Sequence, residues 1–281
     1  MIETQRCDSE LGTWVQHGWH PPPGDVLAGF VERIWDFDGI LRLGREQTFP
    51  DGKLALVVQL DECHRAAGST ESFPPVCLDG LQTRTTTIEA PRGRCRVLGI
   101  VLGPLGASAL LGSSLRELTD RSTDLHAIVG RDSEELAQTL DAARDGAERV
   151  RRARAWTRAR LVRALAPEPL IARVFELIER GAGNVAISRL DEYTGRSRSR
   201  LAAGFADAIG LAPKRYARIV RFRRALELVN RGAGSLGDVA IRSGYYDQAH
   251  MNAEFREHAG LTPREYLTAR RYPGSSHIVA P

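Results

Sequence analysis

The sequence predicts an α+β chain: a β-rich N-terminal part, a helical connector and an all-helical C-terminal third. Three observations carry this. Short apolar runs separated by turn residues fill residues 21–105. From Ala107 onward the apolar residues fall at helical spacing. One segment also occurs twice, 50 residues apart: Gly210-Leu211-Ala212-Pro213-Lys214-Arg215-Tyr216 and Gly260-Leu261-Thr262-Pro263-Arg264-Glu265-Tyr266. Each copy follows a Phe at the same offset, Phe205 and Phe255, with Leu201 and Met251 before them at helical-face spacing.

A chain of 281 residues, 42% hydrophobic, is long enough for two domains and a connector. No run of 18 apolar residues exists, so no membrane span is expected. Met1 to Glu10 lacks an apolar stretch, so no signal peptide is read there and a cytoplasmic location is expected. Cys7, Cys63, Cys77 and Cys95 form no C-x-x-C pair, and reduced thiols are the default. Cationic neighbours in Cys63-His64-Arg65 and Arg94-Cys95-Arg96 would lower a thiol pKa if exposed. Cys95 sits within a strand pattern, which favours burial.

Charge is uneven along the chain. Residues 1–115 carry 10 basic and 14 acidic side chains, residues 116–166 carry 11 and 9, and residues 167–281 carry 18 and 12. The basic excess lies where the repeat lies, and only two of the 39 cations are Lys. Arg presents a planar fork suited to phosphate or guanine.

In order along the chain, Pro21-Pro22-Pro23-Gly24 is a breaker and Phe49-Pro50-Asp51-Gly52 a turn leading into the apolar run 54–60. Leu78-Asp79-Gly80 turns again, Thr83 to Ile88 is rich in β-branched residues, and Cys95 to Leu102 is a second buried-strand candidate. Short strands with regular turns predict a sandwich or small barrel. Ser133 is read as the N-cap of a helix starting at Glu134, and Ala147 to Ala166 as an Arg-rich helix. That helix, around Trp156, either pairs with a second copy or packs on its own domain. Ala166-Pro167-Glu168-Pro169 is the expected boundary. The segments are thus 1–115 (β-rich), 116–166 (connector), 167–272 (helical) and 273–281 (a flexible tail).

Beyond the boundary, Leu170 to Arg180 has an apolar stripe and stops at Gly181-Ala182-Gly183. Ser188-x-x-Asp191 marks a short helix. Pro213 to Asn230 is a long helix with Ile219, Phe222, Leu226 and Val229 on one face. Ser235 and Asp238 open the next helix, and Thr262-Pro263-Arg264-Glu265 is a capping box. Around each repeat, two short helices flank a turn with Gly. The first copy has Leu190–Tyr193, Gly195 and Ser197–Phe205. The second has 236–240, Gly244 and Asp247–Phe255. This describes a helix-turn-helix, whose second helix normally enters the DNA major groove.

Gly244-Tyr245-Tyr246-Asp247-Gln248-Ala249-His250-Met251-Asn252-Ala253-Glu254-Phe255 followed by the Gly260–Tyr266 frame closely resembles the signature of AraC/XylS-type transcription regulators. The first copy matches at Ser197, Leu201, Phe205, Gly210, Pro213 and Tyr216. The resemblance spans about residues 168–272. It implies a seven-helix domain binding double-stranded DNA, with two recognition helices in successive major grooves. An 18-residue helix is about 27 Å long at 1.5 Å per residue. One turn of DNA is about 34 Å, so such a rod can hold the two recognition helices about one turn apart.

Carried over by position, the resemblance implies base reading by Gln248, Ala249, Asn252 and Ala253 in the second copy, and by Ser199, Ala202 and Ala203 in the first. Gln and Asn suit adenine, and Ala suits the thymine methyl. Arg196, Arg198, Arg200, His250 and Arg256 are assigned to phosphates. The first copy departs from the family: its reading positions are small where long polar residues, often an Arg at the last, are common. Asp191 also replaces a small apolar residue. The first unit is therefore expected to anchor and the second to discriminate.

Residues 25–165, through Phe49-Pro50-Asp51-Gly52-Lys53-Leu54 and 99–107, resemble the sensor half of one subgroup of the family. This implies a cupin-like β-barrel followed by a helical hairpin, taking a small-molecule effector and forming a homodimer. Trp14, Trp19, Trp35, Phe37 and Phe49 are the candidate pocket walls, with core packing as the other reading. RNA polymerase is a further candidate partner. The overall expectation is a transcription regulator that acts by binding, with no cofactor, metal or catalytic residue. The alternatives are a cupin-type metal enzyme fused to a DNA-binding module, and a regulator whose N-terminal half only dimerises. His17, His20, His64 and His126 contain no H-x-H pair, and no G-x-S-x-G elbow is present.

Overall fold

The computed structural model describes residues 1–42, 44–162, 168–186, 197–269, 271 and 277–279. The N-terminal half is two antiparallel sheets. Its strands are β1 (Glu3–Ser9), β2 (Gly12–Trp19), β3 (Val31–Leu41), β4 (Arg45–Thr48), β5 (Leu54–Gln59), β6 (Arg65–Ala66), β7 (Val76–Asp79), β8 (Thr86–Glu89), β9 (Arg94–Leu102) and β10 (Ser122–Asp124). The larger sheet runs β1-β2-β3-β9-β5-β7-β10. The smaller runs β11-β4-β8-β6, where β11 is Ile278–Val279. Among the described residues no ladder joins the two sheets, so the cupin-like barrel is open rather than a closed ring.

Strand parity decides what each side chain meets. On β3, Arg33, Trp35 and Phe37 face the space between the sheets, and so do Trp14 and Gln16 on β2 and Val57 and Gln59 on β5. The other parity, Trp19, Ile34, Leu56, Val58, Leu98, Ile100 and Leu102, is buried in the main apolar cluster, on the side of the sheet where helices pack. Those helices are α1 (Pro104–Leu111) and α4 (Gly146–Val162), with α2 (His126–Val129) and α3 (Asp132–Asp141) beside them. Asp36 and Arg149 pin α4 to β3 through a two-pronged ion pair of 2.6 and 3.0 Å, with side chains 0% and 4% exposed. Trp156 is half-buried against the same core, under Arg160, so this helix packs on its own domain. Ser133 lies inside α3 rather than at its cap. Its hydroxyl donates to the Gly130 carbonyl at 2.7 Å.

The C-terminal helices are α5 (Pro169–Arg180), α6 (Arg198–Ile209), α7 (Pro213–Asn230), α8 (Leu236–Arg242), α9 (Gln248–Ala259) and α10 (Pro263–Thr268). α7 is shared between two apolar clusters. Tyr216, Ile219 and Val220 join the cluster holding α5, α6 and the sheet. Phe222, Leu226 and Val229 join the one holding α8, α9 and Phe49. The expected short helix at 190–193, Gly195, Arg196 and the Ser188–Asp191 cap lie outside the described residues. The tail corrects an expectation: Ile278 and Val279 are not loose but pair antiparallel with Gln47 and Glu46, and Ile278 is buried. An apolar pair beside the edge strand β4 is sufficient reason.

Candidate DNA interface and ligand cavity

The repeated Gly-Leu-x-Pro-x-x-Tyr frame has a physical meaning at each position. Gly210 and Gly260 close α6 and α9 with φ of 99° and 72°, a conformation open to Gly and strained for other residues. Pro213 and Pro263 occupy the first turns of α7 and α10. Tyr216 and Tyr266 are fully buried, and each hydroxyl donates to a helix behind it: to Glu179 at 2.6 Å and to Asn230 at 2.9 Å. The expected box of Thr262 with Glu265 forms, and Ser235 and Asp238, expected to open α8, form a second one.

In the second unit, Gly244 makes the turn with φ of 83°. The Asp247 side chain caps α9 by accepting from the His250 amide at 2.7 Å. Met251, Phe255 and Ala259 point inward. Gln248, Ala249, Ala253 and Arg256 are exposed and Asn252 is half-buried. The Asn252 Oδ1 is buried with no hydrogen-bond partner among the described residues. Ala249 and Ala253 thus lie opposite the core, with Gln248 and Asn252 flanking them at its edge. His250, expected at phosphate, is partly engaged in the turn, edge-on to Tyr245 at 5.3 Å. Two cations that composition alone did not single out organise this unit. Arg218 and Arg221 on α7 hold the buried Glu254 at 2.8 and 3.0 Å, and Arg221 lies over the Tyr245 ring. Burial disfavours the charged Glu254, but these guanidiniums hold its carboxyl below the ordinary range.

In the first unit, Leu201, Phe205 and Ile209 point inward. Arg198, Ser199, Arg200 and Ala203 are exposed and Ala202 is half-buried. Ser197 caps α6 by position but makes no side-chain cap bond.

The N-terminal half holds the far ends of both recognition helices. Thr119 donates to the Gly210 carbonyl at 2.7 Å, and Gln47 donates to the Ala259 carbonyl at 3.0 Å. His258 Nδ1 bonds the Thr83 carbonyl at 2.8 Å, and the Thr85 amide donates to the His258 carbonyl at 2.7 Å. Phe49 meets Tyr266 edge-on at 5.5 Å.

Between the sheets lies a cavity of about 790 Å³. Trp14, Trp35, Phe37 and Phe49 line it. Trp19 does not: five residues after Trp14 on the same strand, it has the opposite parity and is buried in the core beneath Arg154. Trp35 lies across Gly99, where a Cβ would come within 2.3 Å of the ring. Arg33 was missed by sequence reading, although its parity with Trp35 and Phe37 is the signal that finds it. It lines the cavity half-buried and has no hydrogen-bond or ion-pair partner among the described residues. Burial pushes the Asp51 and Asp79 carboxyls in the wall up from the ordinary range. Burial also raises the Cys63 and Cys95 thiols, Cys95 to about 11, opposite to the activation expected of an exposed site. Among the described residues no three His, Cys, Asp or Glu side chains converge as a metal-ligand set, and no helix is long and apolar enough to cross a membrane.

Comparison with known proteins adds to this geometry. Residues 190–269 match the family described as a helix-turn-helix domain, HTH_18, and residues 11–124 match a domain of unknown function, DUF6597. The chain is 34% identical over 88 residues to the uncharacterized HTH-type transcriptional regulator YbfI of Bacillus subtilis (strain 168). That match covers 30% of this chain and about a third, 32%, of the relative. A transcriptional regulator from Chromobacterium violaceum, among AraC-type DNA-binding domain-containing proteins, is 26% identical with a TM-score of 0.34. It covers 38% of this chain and 96% of its own. ToxT from Vibrio cholerae O395 is 11% identical with a TM-score of 0.44, over 83% of this chain and 95% of its own. With its duplicated frame, its capped recognition helix α9 and the connecting rod α7, the C-terminal region 190–269 belongs to the AraC-type helix-turn-helix domains.

Proposed function

We propose that the chain is a sequence-specific, cytoplasmic DNA-binding transcription regulator, with α6 and α9 entering successive major grooves and a sensor cavity in the N-terminal half. The division at 115, 166 and 272 follows from this reading. The observation that carries it is the first turns of α9, where Ala249 and Ala253 lie opposite the buried Met251 and Phe255, with the exposed Gln248 and the half-buried Asn252 flanking them on one side. Gln and Asn there suit two-pronged pairing with adenine, and each such pair is worth about 1–3 kcal/mol of discrimination. Ser199, Ala202 and Ala203 contribute less, with Arg198, Arg200 and Arg256 on phosphates. Selection of bound duplexes from a random pool at two salt concentrations tests the proposal. An enriched motif with a steep salt dependence is expected, and weak binding with no motif would end it.

The cavity supports an effector with an apolar, ring-bearing body against Trp14, Trp35 and Phe37 and an anionic group on Arg33. The chain acts by binding rather than chemistry. Thermal-shift screening of apolar carboxylates against matched amines tests the effector class. Stabilisation by the amines alone would reverse the assignment of Arg33. Stoichiometric iron or manganese in the purified protein would favour the enzyme reading instead.

A further inference from the structure

The two copies offer equivalent positions 50 residues apart. On α6, Ser199, Ala203 and Asp207 lie in one row at i, i+4 spacing, on the side away from Leu201, Phe205 and Ile209. The matching row on α9 ends in Glu257. Each helix intended for a polyanion thus carries an exposed acid one turn past its reading positions, and each acid is neutralised. The sources differ. Glu257 pairs with Arg218, a residue of the DNA-binding region itself. Asp207 pairs with Arg116, which belongs to the 3-10 turn Arg116–Leu118 of the connector.

The Arg116 contact is built from several bonds. Its Nε donates to Asp207 Oδ1 at 3.0 Å and its Nη2 to the Ala203 carbonyl at 2.9 Å. Ser114 donates to the same carboxylate at 3.2 Å, and the Leu115 amide donates to the Asp207 carbonyl at 2.7 Å. These bonds hold the guanidinium beside Ala203, on the helix face that lacks long side chains of its own. The Arg116 side chain is still 50% exposed. A guanidinium has five N–H donors, and Nη1 has no hydrogen-bond partner among the described residues.

We infer that the DNA interface of the first unit is composite: Arg116, carried by the connector and positioned by Asp207, contacts a DNA phosphate alongside α6. This rests on the reading of the chain as a DNA-binding protein. It also gives the sensor half a direct part in DNA affinity. Four residues beyond Arg116 the chain enters the cavity wall, at Asp120, Arg121 and Ser122. Asp120 is held in a left-handed conformation, φ 58°, with its carboxylate on the Thr83 amide and hydroxyl at 2.7 and 2.8 Å. An occupant that displaces this corner moves the segment that carries Arg116.

The test uses the full chain and the duplex enriched by selection, or a random-sequence duplex if no motif emerges, with affinity measured across a salt series. Arg116→Ala is expected to weaken binding about tenfold and to lower the log–log salt slope by about 0.9, one phosphate contact. Arg116→Lys, which keeps the charge, is expected to keep most of the slope. Arg116→Ala that binds with unchanged affinity and slope would overturn the inference. So would tighter binding, which would mean that the turn only shields α6. Thermal melting of each variant separates a lost contact from a lost fold, and Arg116→Lys carries the test if the alanine variant is unfolded. If the unaltered chain binds no duplex in a salt-dependent way, the DNA-binding reading fails, not this assignment.

Discussion

The two helix-turn-helix units share a frame and differ in nearly everything laid over it. Positions 201/251, 205/255, 210/260, 213/263 and 216/266 do the same work in both: two buried apolar side chains, a left-handed Gly, a first-turn Pro and a buried Tyr. The second unit then adds side-chain contacts that the first lacks. Asp247 caps its helix, Glu254 gathers Arg218 and Arg221, Gln248 is exposed and Asn252 is half-buried. The first unit has a cap residue with no cap bond, Gly204 where the second has Glu254, and small side chains at the reading positions. Its far end leans on Ser114, Leu115, Arg116 and Thr119 of the N-terminal half. The difference teaches that a duplicated frame secures equal folding while leaving the surface laid over it free to diverge: the far ends of both helices rest on the N-terminal half, and it is the exposed faces and the caps that differ.

The equality of the frames is the easiest part to break. Phe205 and Phe255 are both 0% exposed. Phe205→Ala and Phe255→Ala are each expected to cost about 3–5 kcal/mol in chemical denaturation. A cost below about 1 kcal/mol for either one would show that the frames are not equivalent.

The inequality of the faces comes next in size. Gln248→Ala is expected to lose about 1–3 kcal/mol of preference at one base position, and Ser199→Ala less than about 0.5 kcal/mol at any. Binding to a panel of singly mutated sites measures both. Equal losses would mean that reading is shared and that the small side chains of α6 read through their methyl groups or through water. A third variant sharpens the same comparison through stability. A Cβ on Gly204 would meet only Ile171 Cδ1, at an ordinary 3.6 Å. Gly204→Ala, in mid-helix, is therefore expected to stabilise by up to about 1 kcal/mol, read as a raised melting temperature. A lowered one would mean that α6 needs the freedom of that glycine.

Local signals explain what was legible. The α7 span, the two capping boxes and the frame positions all follow from residues within a few places of one another. The cavity walls needed the strand registers: without them Trp14 and Trp19 look alike, and Arg33 looks like any polar residue. β1 escaped notice because six of its seven residues are polar or charged and most are exposed, so it carries no apolar signal. β11 is two residues long and exists only because β4 lies beside it. Contacts such as Arg116 with Asp207, or Gln47 with the Ala259 carbonyl, join positions far apart in sequence. Nothing local to either partner announces them.

The smallest predicted effect tests how the second unit is held. His258 has no counterpart in the first copy, where the equivalent residue is Ala208. Its ring is buried and bonds the Thr83 carbonyl, so Nδ1 carries the proton, and Nε2 has no hydrogen-bond partner among the described residues. Burial lowers its pKa from the ordinary value of 6.5; the Thr83 bond opposes this and Arg218 adds to it. Between the folded and unfolded pKa the unfolded chain binds more protons, so stability rises with pH. The contribution is therefore complete above about pH 6.5 and is lost as pH falls from there toward the folded pKa. His64, whose pKa burial also lowers, adds a slope of the same sign in every variant, and His277, whose pKa is raised by its Glu46 pair against burial, adds one of opposite sign. The difference between the native chain and His258→Gln isolates His258. From pH 7.5 to 5.5 the melting temperature of the native chain is expected to fall further than that of the variant. If the two fall in parallel, the clasp does not titrate, and the second unit is held to the N-terminal half by the Gln47 and Phe49 contacts and the Thr85 amide instead.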